Sequence, residues 1–138
     1  MCPPSYYLQR SERMVRISFE NVVAHFTHLS GCDVDEVNTY ISLIENAWRR
    51  ISALLDENKA SAGCIASAEY AAGTYAFYDY ICTQHAREKI ICTLSGKASA
   101  DVDYKGRQEA ARALRDSALE VIKPFMLGCD FLFKGVDG

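Results

Sequence analysis

The sequence predicts a mainly α-helical fold: a four-helix bundle-like domain with a short β-hairpin between the last two long helices and an extended C-terminal tail. Apolar residues recur every three or four positions in four separate stretches, which is the period of one helix face. Residues 88–104 lose this period, and residues 129–138 combine an apolar run with no helix cap. The composition, 49% hydrophobic and 24% charged over 138 residues, fits a single globular domain.

We expect the helical domain at residues 17–128, with a flexible or extended N-terminal arm at 1–16 and the extended tail at 129–138. The arm contains two prolines and little periodicity. It lacks an apolar signal segment, and no run in the chain approaches the roughly 18 apolar residues of a membrane span. We therefore expect a cytosolic protein with no membrane partner, in which the six cysteines remain free thiols.

The first two predicted helices have clear boundary signals. The first follows Ser18, a favoured N-cap residue, and ends at Gly31, which readily adopts the left-handed conformation of a helix C-cap. Asp33 and Glu36 have the acceptor-x-x-Glu spacing of a capping box, so a second helix should begin there. One continuous apolar stripe then follows over about six turns. Its members are Val34, Val37, Ile41, Ile44, Trp48, Ile51 and Leu55.

The third and fourth predicted helices cover residues 65–85 and 107–122. The third is rich in alanine, which allows a neighbouring helix to approach closely. Tyr75 and Tyr80 are expected to point away from its main face, toward a second contact. The fourth helix should end where Lys123 and Pro124 follow it, because proline disfavours helical backbone in the residue before it.

Residues 88–104 are predicted to form the β-hairpin, with its turn near Ser95 and Gly96. Alternation would place three residues of the first strand and three of the second on facing positions. These residues are Ile90, Cys92 and Leu94, and then Ala98, Ala100 and Val102. An isolated two-stranded hairpin is marginal in water, so this one should pack on the helices or on another chain.

Residues that could carry chemistry are few. His25 and His28 lie near Cys32 and Asp33, which could suggest a metal site, but two histidines at a helix surface or core edge are the favoured interpretation. Cys82 and His85 stand one turn apart, late in a helix whose dipole disfavours a thiolate. The sequence has no phosphate-binding glycine loop and no nucleophile elbow. We expect no catalytic residue, metal ion or cofactor, and hence a protein that is not an enzyme.

Apolar material lies where a monomer would have difficulty covering it, in the predicted hairpin and in the tail. We therefore expect a homo-oligomer in which these two segments contact neighbouring chains. The contact residues predicted on this basis are Ile90, Cys92, Leu94, Ala98, Ala100, Val102, Phe131, Leu132, Phe133 and Val136.

The order of elements resembles the head-tail connector, or head-completion adaptor, proteins of tailed bacteriophages and prophages. The resemblance covers roughly residues 18 to 136. It rests on the stretches VVAHFTHLSGCDVDEVNTYISLIENAWRRI, SAEYAAGTYAFYDYI, TLSGKASADV, EAARALRDSALEVIKPFM and CDFLFKGV.

This resemblance implies a structural subunit that forms a ring beneath the portal protein and offers a docking surface to tail or stopper proteins. DNA would pass through the ring without sequence-specific binding, which suits a formal net charge of -3. The resemblance further implies a place in the bacterial cytoplasm during assembly and in the virion neck afterwards. It assigns contacts to residues 90–102 and 131–136, and it explains neither the six cysteines nor the arginines of the N-terminal arm.

An alternative is a small helical regulatory or ligand-binding protein. Its pocket would lie between the second and third predicted helices and would be lined by Trp48, Tyr70, Phe77 and Tyr78. A deep open pocket that reaches Trp48 would favour this alternative, and close-packed side chains there would favour the assembly subunit.

Overall fold

The computed structural model describes residues 17–95 and 104–128, and this part of the chain is mainly helical, as the sequence predicts. It holds five α-helices and one terminal 3₁₀ turn. These are α1 (Phe19–Ser30), α2 (Val34–Thr39), α3 (Ile41–Leu54), α4 (Ala62–Ser95), α5 (Tyr104–Ile122) and the turn Lys123–Phe125. Within the two described ranges, extended pairing is limited to an antiparallel bridge between Leu55 and Met126. No helix of these ranges has the length and apolar character needed to cross a bilayer.

Helix α1 begins and ends at the positions that the cap residues Ser18 and Gly31 predicted. The Asn21 backbone N–H donates to Ser18 Oγ at 3.2 Å, and Gly31 takes a φ of 73° at the C-terminal end. The buried carboxylate of Glu69 adds a second anchor. It accepts hydrogen bonds from the Ser18 backbone N–H at 2.6 Å and from Asn21 Nδ2 at 3.1 Å. Helix α4, which carries Glu69, therefore fixes the N-terminal end of α1.

The predicted capping box is confirmed, but the single long helix predicted after it is instead two helices, α2 and α3. Glu36 N–H donates to Asp33 Oδ1 at 2.9 Å, and Asp33 N–H donates to Glu36 Oε1 at 3.3 Å. Helix α2 then ends at Thr39, Tyr40 leaves helical geometry with φ -104° and ψ 16°, and α3 begins at Ile41. The break places the Tyr40 ring edge-on against a tyrosine of α4. Val34 is consequently 77% exposed and does not join the apolar stripe.

Helix α4 is the centre of the fold, because α1, α3 and α5 all pack on it. Its contact surface is made of small residues, as predicted: Ala68, Ala71, Ala72 and Ala76 are buried. Helices α1 and α4 approach most tightly at Gly73, where a Cβ atom would lie 2.5 Å from His25 Cβ. Glycine is required at this position because no other residue leaves space for the facing helix.

The two tyrosines expected to face away from the main contact surface of α4 are both engaged. Tyr80 belongs to an aromatic cluster with Phe26, Tyr40 and Phe77. Tyr75 lies between two arginines, one from α3 and one from α5. The expectation is therefore wrong for Tyr80, whereas Tyr75 does make a second contact.

The predicted β-hairpin is wrong over its first strand, because residues 88–95 continue α4 without a break. Ile90, Cys92 and Leu94 lie on a helix, where alternating residues do not share a face. A short apolar run such as EKIICTL does not distinguish strand from helix by its period, and local hydrogen bonds satisfy its backbone without a partner strand. The predicted second-strand residues Ala98, Ala100 and Val102 lie outside the described residues.

Helix α5 runs antiparallel to α4, since Tyr104 meets His85 and Arg112 meets Tyr78. It ends at Ile122, before the interruption predicted at Lys123 and Pro124, and a 3₁₀ turn follows. Two backbone hydrogen bonds then attach the chain to the end of α3. Asp56 N–H donates to Phe125 O at 2.8 Å, and Leu127 N–H donates to Leu54 O at 2.7 Å. The predicted tail at 129–138 lies outside the described residues.

Candidate functional site

The last two turns of α4, residues 88–95, extend past the neighbouring helices and are called here the α4 tip. The His85 ring stacks on the Tyr104 ring at 5.3 Å, so the first residue of α5 lies level with His85. Arg87 donates to the Tyr40 hydroxyl at 3.1 Å, which joins the residue before the tip to the N-terminal helices. With a rise of about 1.5 Å per residue, the tip adds roughly 12 Å of helix after Arg87.

The α4 tip carries three exposed branched side chains. Ile90 is 59% exposed, Ile91 is 53% exposed and Leu94 is 83% exposed. Ile90 and Leu94 are four positions apart and therefore share a helix face, with Ile91 beside them. A cluster of this kind at the end of a rigid helix is typical of a surface that a partner covers.

A second feature is a groove between α1 and α5, which has α4 as its floor and is called here the α1–α5 groove. It consists of two adjoining cavities of about 450 and 470 Å³ that share Leu114. The upper cavity, nearer the tip, is lined by Leu29, Phe77, Ile81, Tyr104, Arg107 and Ala110, among others. The lower cavity is lined by His25, Ala66, Tyr70, Ser117, Ala118 and Val121, among others.

The groove exists because α5 packs on α4 through small residues and does not reach α1 with large ones. Ala111 and Ala118 are buried against α4, while Ala110 and Ser117 are exposed on the groove side. The walls are mostly apolar, and Arg107 supplies a positive charge at the upper cavity. Its guanidinium lies 5.8 Å from the centre of the Tyr104 ring.

The flank of α5 opposite the groove is joined to α3 and α4 by alternating arginines and tyrosines. Arg115 lies 5.6 Å from the centre of the Tyr75 ring and 4.4 Å from that of Tyr78. Arg50 covers Tyr75 at 5.5 Å, and Arg112 donates to the Tyr78 hydroxyl at 3.2 Å. These arginines and tyrosines make cation–π contacts across the helices, which stabilise the packing of α3, α4 and α5.

Asp79 lies within the same flank. Burial raises the pKa of its carboxyl above the usual value of 3.8, and the nearby charges of Arg115 and Arg50 oppose that rise. The carboxyl and the guanidinium groups therefore belong to one structural cluster.

The four side chains of the alternative pocket do not come together in either cavity of the α1–α5 groove. Trp48 packs edge-on against Phe19 with ring centres 5.4 Å apart, and its Nε1 donates to Ile17 O at 2.7 Å. Neither cavity of the α1–α5 groove is lined by Trp48. Tyr70 lines the lower cavity and Phe77 the upper one, whereas Tyr78 faces Arg112. The cavities thus lie between α1 and α5, away from the predicted position.

The histidines and cysteines that the sequence singles out lie in packing positions or at the surface within the described ranges. His25 packs edge-on against Tyr70 at 5.3 Å, His28 is exposed, and Cys32 is buried. His85 Nδ1 lies 2.9 Å from Gln108 Oε1, so the imidazole ring faces α5. It pairs with Gln108 rather than with Cys82, the residue one turn before it. Among residues 17–95 and 104–128, no three His, Cys, Asp or Glu side chains gather as a metal site would require.

The contact residues predicted from the sequence divide into two groups. Ile90 and Leu94 lie exposed on the α4 tip, and Cys92 lies in the same helical turn. The other seven residues, Ala98, Ala100, Val102, Phe131, Leu132, Phe133 and Val136, fall outside the described ranges. Ile91 was predicted only as part of the contact range 90–102, and the groove residues of α5 were not predicted. A helical interpretation of EKIICTL would have identified Ile91, and the small residues of AARALRDSA were the available signal for the groove.

Comparison of the chain with family models, with curated proteins and with solved structures finds no match.

Proposed function

We propose that this protein is a non-enzymatic assembly subunit whose α4 tip is covered by a partner chain. The observation that carries the proposal is the exposure of Ile90, Ile91 and Leu94 on a helix end that projects from the body. More specifically, we propose a head-tail connector subunit of a tailed bacteriophage or prophage, which forms a ring beneath the portal protein.

The energetic reason to expect a partner at the tip is the cost of leaving these apolar side chains in water. Full burial of an isoleucine or leucine side chain contributes about 1.5–3 kcal/mol. More than half of each of the three remains exposed, at 59%, 53% and 83%. A partner that covered them would gain roughly 3–6 kcal/mol before the entropic cost of association. This amount favours association most when a closed ring repeats the contact around the assembly.

In this proposal, helices α1, α3, α4 and α5 act as a four-helix bundle-like body that holds the tip rigidly. The portal protein on one side and a tail or stopper protein on the other are the partners. DNA would pass through the ring without sequence-specific binding, which a net charge of -3 supports because a basic lumen would retain phosphates. The subunit would act in the bacterial cytoplasm during assembly and remain in the virion neck.

A variant phage tests this function. In a phage that encodes the chain, Leu94→Asp places a charge at the most exposed apolar position of the tip. We expect DNA-filled heads without attached tails in electron micrographs, because the connector ring no longer forms or docks.

The matched control is Val34→Asp, which changes another exposed apolar side chain, at 77%, on a different helix, α2. It should yield complete virions. Complete virions from the Leu94→Asp phage, with the variant protein folded and present at normal level, would contradict the proposed function. A gene position between portal or capsid genes and tail genes would support it independently.

A second candidate function is supported by the α1–α5 groove. Its cavities of about 450 and 470 Å³ lie within the roughly 300–1,000 Å³ typical of small-molecule sites, and their walls are largely apolar. A regulatory or ligand-binding protein would show a mass increment from a retained molecule in native mass spectrometry and a lower melting temperature after its removal. The bare mass of the chain after gentle purification would argue against this candidate.

A further inference from the structure

We infer that the α4 tip of one copy docks into the α1–α5 groove of a second copy. The inference rests on the proposed assembly function and specifies its interface. The tip and the groove are different surfaces of the same chain, so the contact is head-to-tail and leaves a free tip and a free groove at the two ends of any dimer.

Both surfaces are rich in apolar side chains. The tip presents Ile90, Ile91 and Leu94 on one side of a helix. The groove presents apolar walls and, along α5, the small exposed side chains of Ala110 and Ser117. Small residues allow the backbone of an incoming helix to approach closely, and an amphipathic helix laid in an apolar groove is a recurrent mode of recognition.

The charges at the two surfaces are also complementary. Arg107 is the charged residue that lines the upper cavity. On the tip, Glu88 precedes Ile91 by three positions and so lies on the same side of the helix. A tip seated in the groove of a second copy would bring this carboxylate toward the guanidinium of Arg107, which fixes the direction of the incoming helix.

The tip is unable to occupy the groove of its own chain. Helix α4 is continuous from Ala62 to Ser95 and forms the floor of the groove with residues such as Tyr70 and Phe77. A segment of a straight helix does not fold back onto its own earlier turns. A tip that occupies the groove must therefore come from another copy, and each copy supplies one tip for every groove.

Single variants of the full chain test each half of the interface. Leu94→Asp disables the tip, and Ala110→Glu places a carboxylate in the groove at an exposed helical position that tolerates glutamate. Their controls are Val34→Asp on α2 and Ala113→Glu on the part of α5 that does not line the groove. By light scattering and sedimentation, the wild type and both controls should self-associate at micromolar concentration. Each interface variant should weaken association at least about tenfold.

Mixing the two interface variants gives the decisive result. The Leu94→Asp chain retains its groove and the Ala110→Glu chain retains its tip, so an equimolar mixture should form a heterodimer. Because the second tip and the second groove are disabled, native mass spectrometry should show no growth beyond two chains. A mixture that stays monomeric would overturn the inference, as would a wild-type chain that remains monomeric at about 200 µM.

A charge exchange keeps the inference testable if Ala110→Glu perturbs folding. Glu88→Arg alone should weaken self-association, and the double variant Glu88→Arg with Arg107→Glu should restore it. Circular dichroism of each variant verifies that helicity is retained. Unchanged association of the Glu88→Arg variant, or no recovery in the double variant, would contradict the proposed direction of docking.

The failure of this inference is distinguishable from that of the proposed function. If the wild type is monomeric while Leu94→Asp still prevents tail attachment in the phage, the tip contacts a different protein and only the inference fails. If the mixed variants form heterodimers while the Leu94→Asp phage is normal, the interface stands and the connector role fails.

Discussion

Tyr80 is a polar side chain held within an aromatic cluster. Its ring packs edge-on against Phe26 and Tyr40, with ring centres 5.5 and 4.9 Å away. Burial raises the pKa of its hydroxyl to about 12, and a hydrogen bond with Cys32 and nearby groups that become negative on ionisation add to the rise. The phenol is therefore neutral at physiological pH and acts as a packing group. No signal in the sequence distinguishes it from a tyrosine that points away from the main face of its helix.

The raised pKa of Tyr80 predicts a loss of stability at alkaline pH. In the unfolded chain the hydroxyl ionises near its usual value of 10.0, whereas in the native state it resists ionisation up to about 12. Its contribution is fully present below pH 10 and is lost as the pH rises to 12, by about 2 kcal/mol. The measurement is urea unfolding of the wild type and Tyr80→Phe between pH 8 and 12. A stability difference that did not change over this range would contradict the prediction.

At the scale of elements, two helix boundaries differ from the predicted ones. The apolar stripe of residues 34–55 suits one helix, yet the chain turns at Tyr40 and its ring meets Tyr80 of α4. Helix α4 instead outlasts its predicted end by ten residues, from His85 to Ser95. At Tyr40, tertiary packing interrupts a sequence that is compatible with one helix. Residues 88–95 instead continue α4 through local backbone hydrogen bonds.

The contact of α1 with α4 gives an element-scale prediction. Gly73→Ala would place a Cβ atom 2.5 Å from His25 Cβ, so α1 must shift away from α4. We expect a loss of about 1–3 kcal/mol in the free energy of unfolding, measured by urea denaturation.

The control for this prediction is Gly63→Ala, which lies in the same helix where an added Cβ would meet no atom within 4 Å. This change should leave stability unchanged or raise it by up to about 1 kcal/mol, because alanine favours helix more than glycine does. Equal effects of the two substitutions would show that the close approach at Gly73 contributes nothing to stability.

At the scale of the whole molecule, the described helices share one core. Buried residues from α1, α2, α3, α4 and α5 and from the segment after the 3₁₀ turn form a single cluster; Phe26, Ile51, Ile122 and Met126 are among them. A shared core of this kind makes the loss of one helix costly for the others, so unfolding should be cooperative.

The single tryptophan allows this cooperativity to be measured. Trp48 of α3 packs on Phe19 of α1, so its fluorescence reports the packing of two helices. We expect the fluorescence transition and the far-ultraviolet circular dichroism transition to coincide in urea. A fluorescence change at clearly lower urea would mean that α1 and α3 separate before the remaining helices unfold.

The candidate site was predicted in part, for reasons that Ile90 and Leu94 make clear. Their apolar character within a predicted hairpin that a monomer would have difficulty covering identified them as contact residues, and the structure does place them in solvent. The predicted strand around them was wrong because short apolar segments fit either period. The α1–α5 groove was not predicted at all, since it depends on the space that small residues of α5 leave between two helices distant in the sequence.

The sequence by itself determined the helical class, the caps at Ser18, Gly31 and Asp33, and the interruption after Ile122, because these features depend on residues within four positions of each other. Only the tertiary structure decided the break at Tyr40 and the groove beside α5. Each of these depends on contacts between residues far apart in the chain, whose energies no local pattern contains.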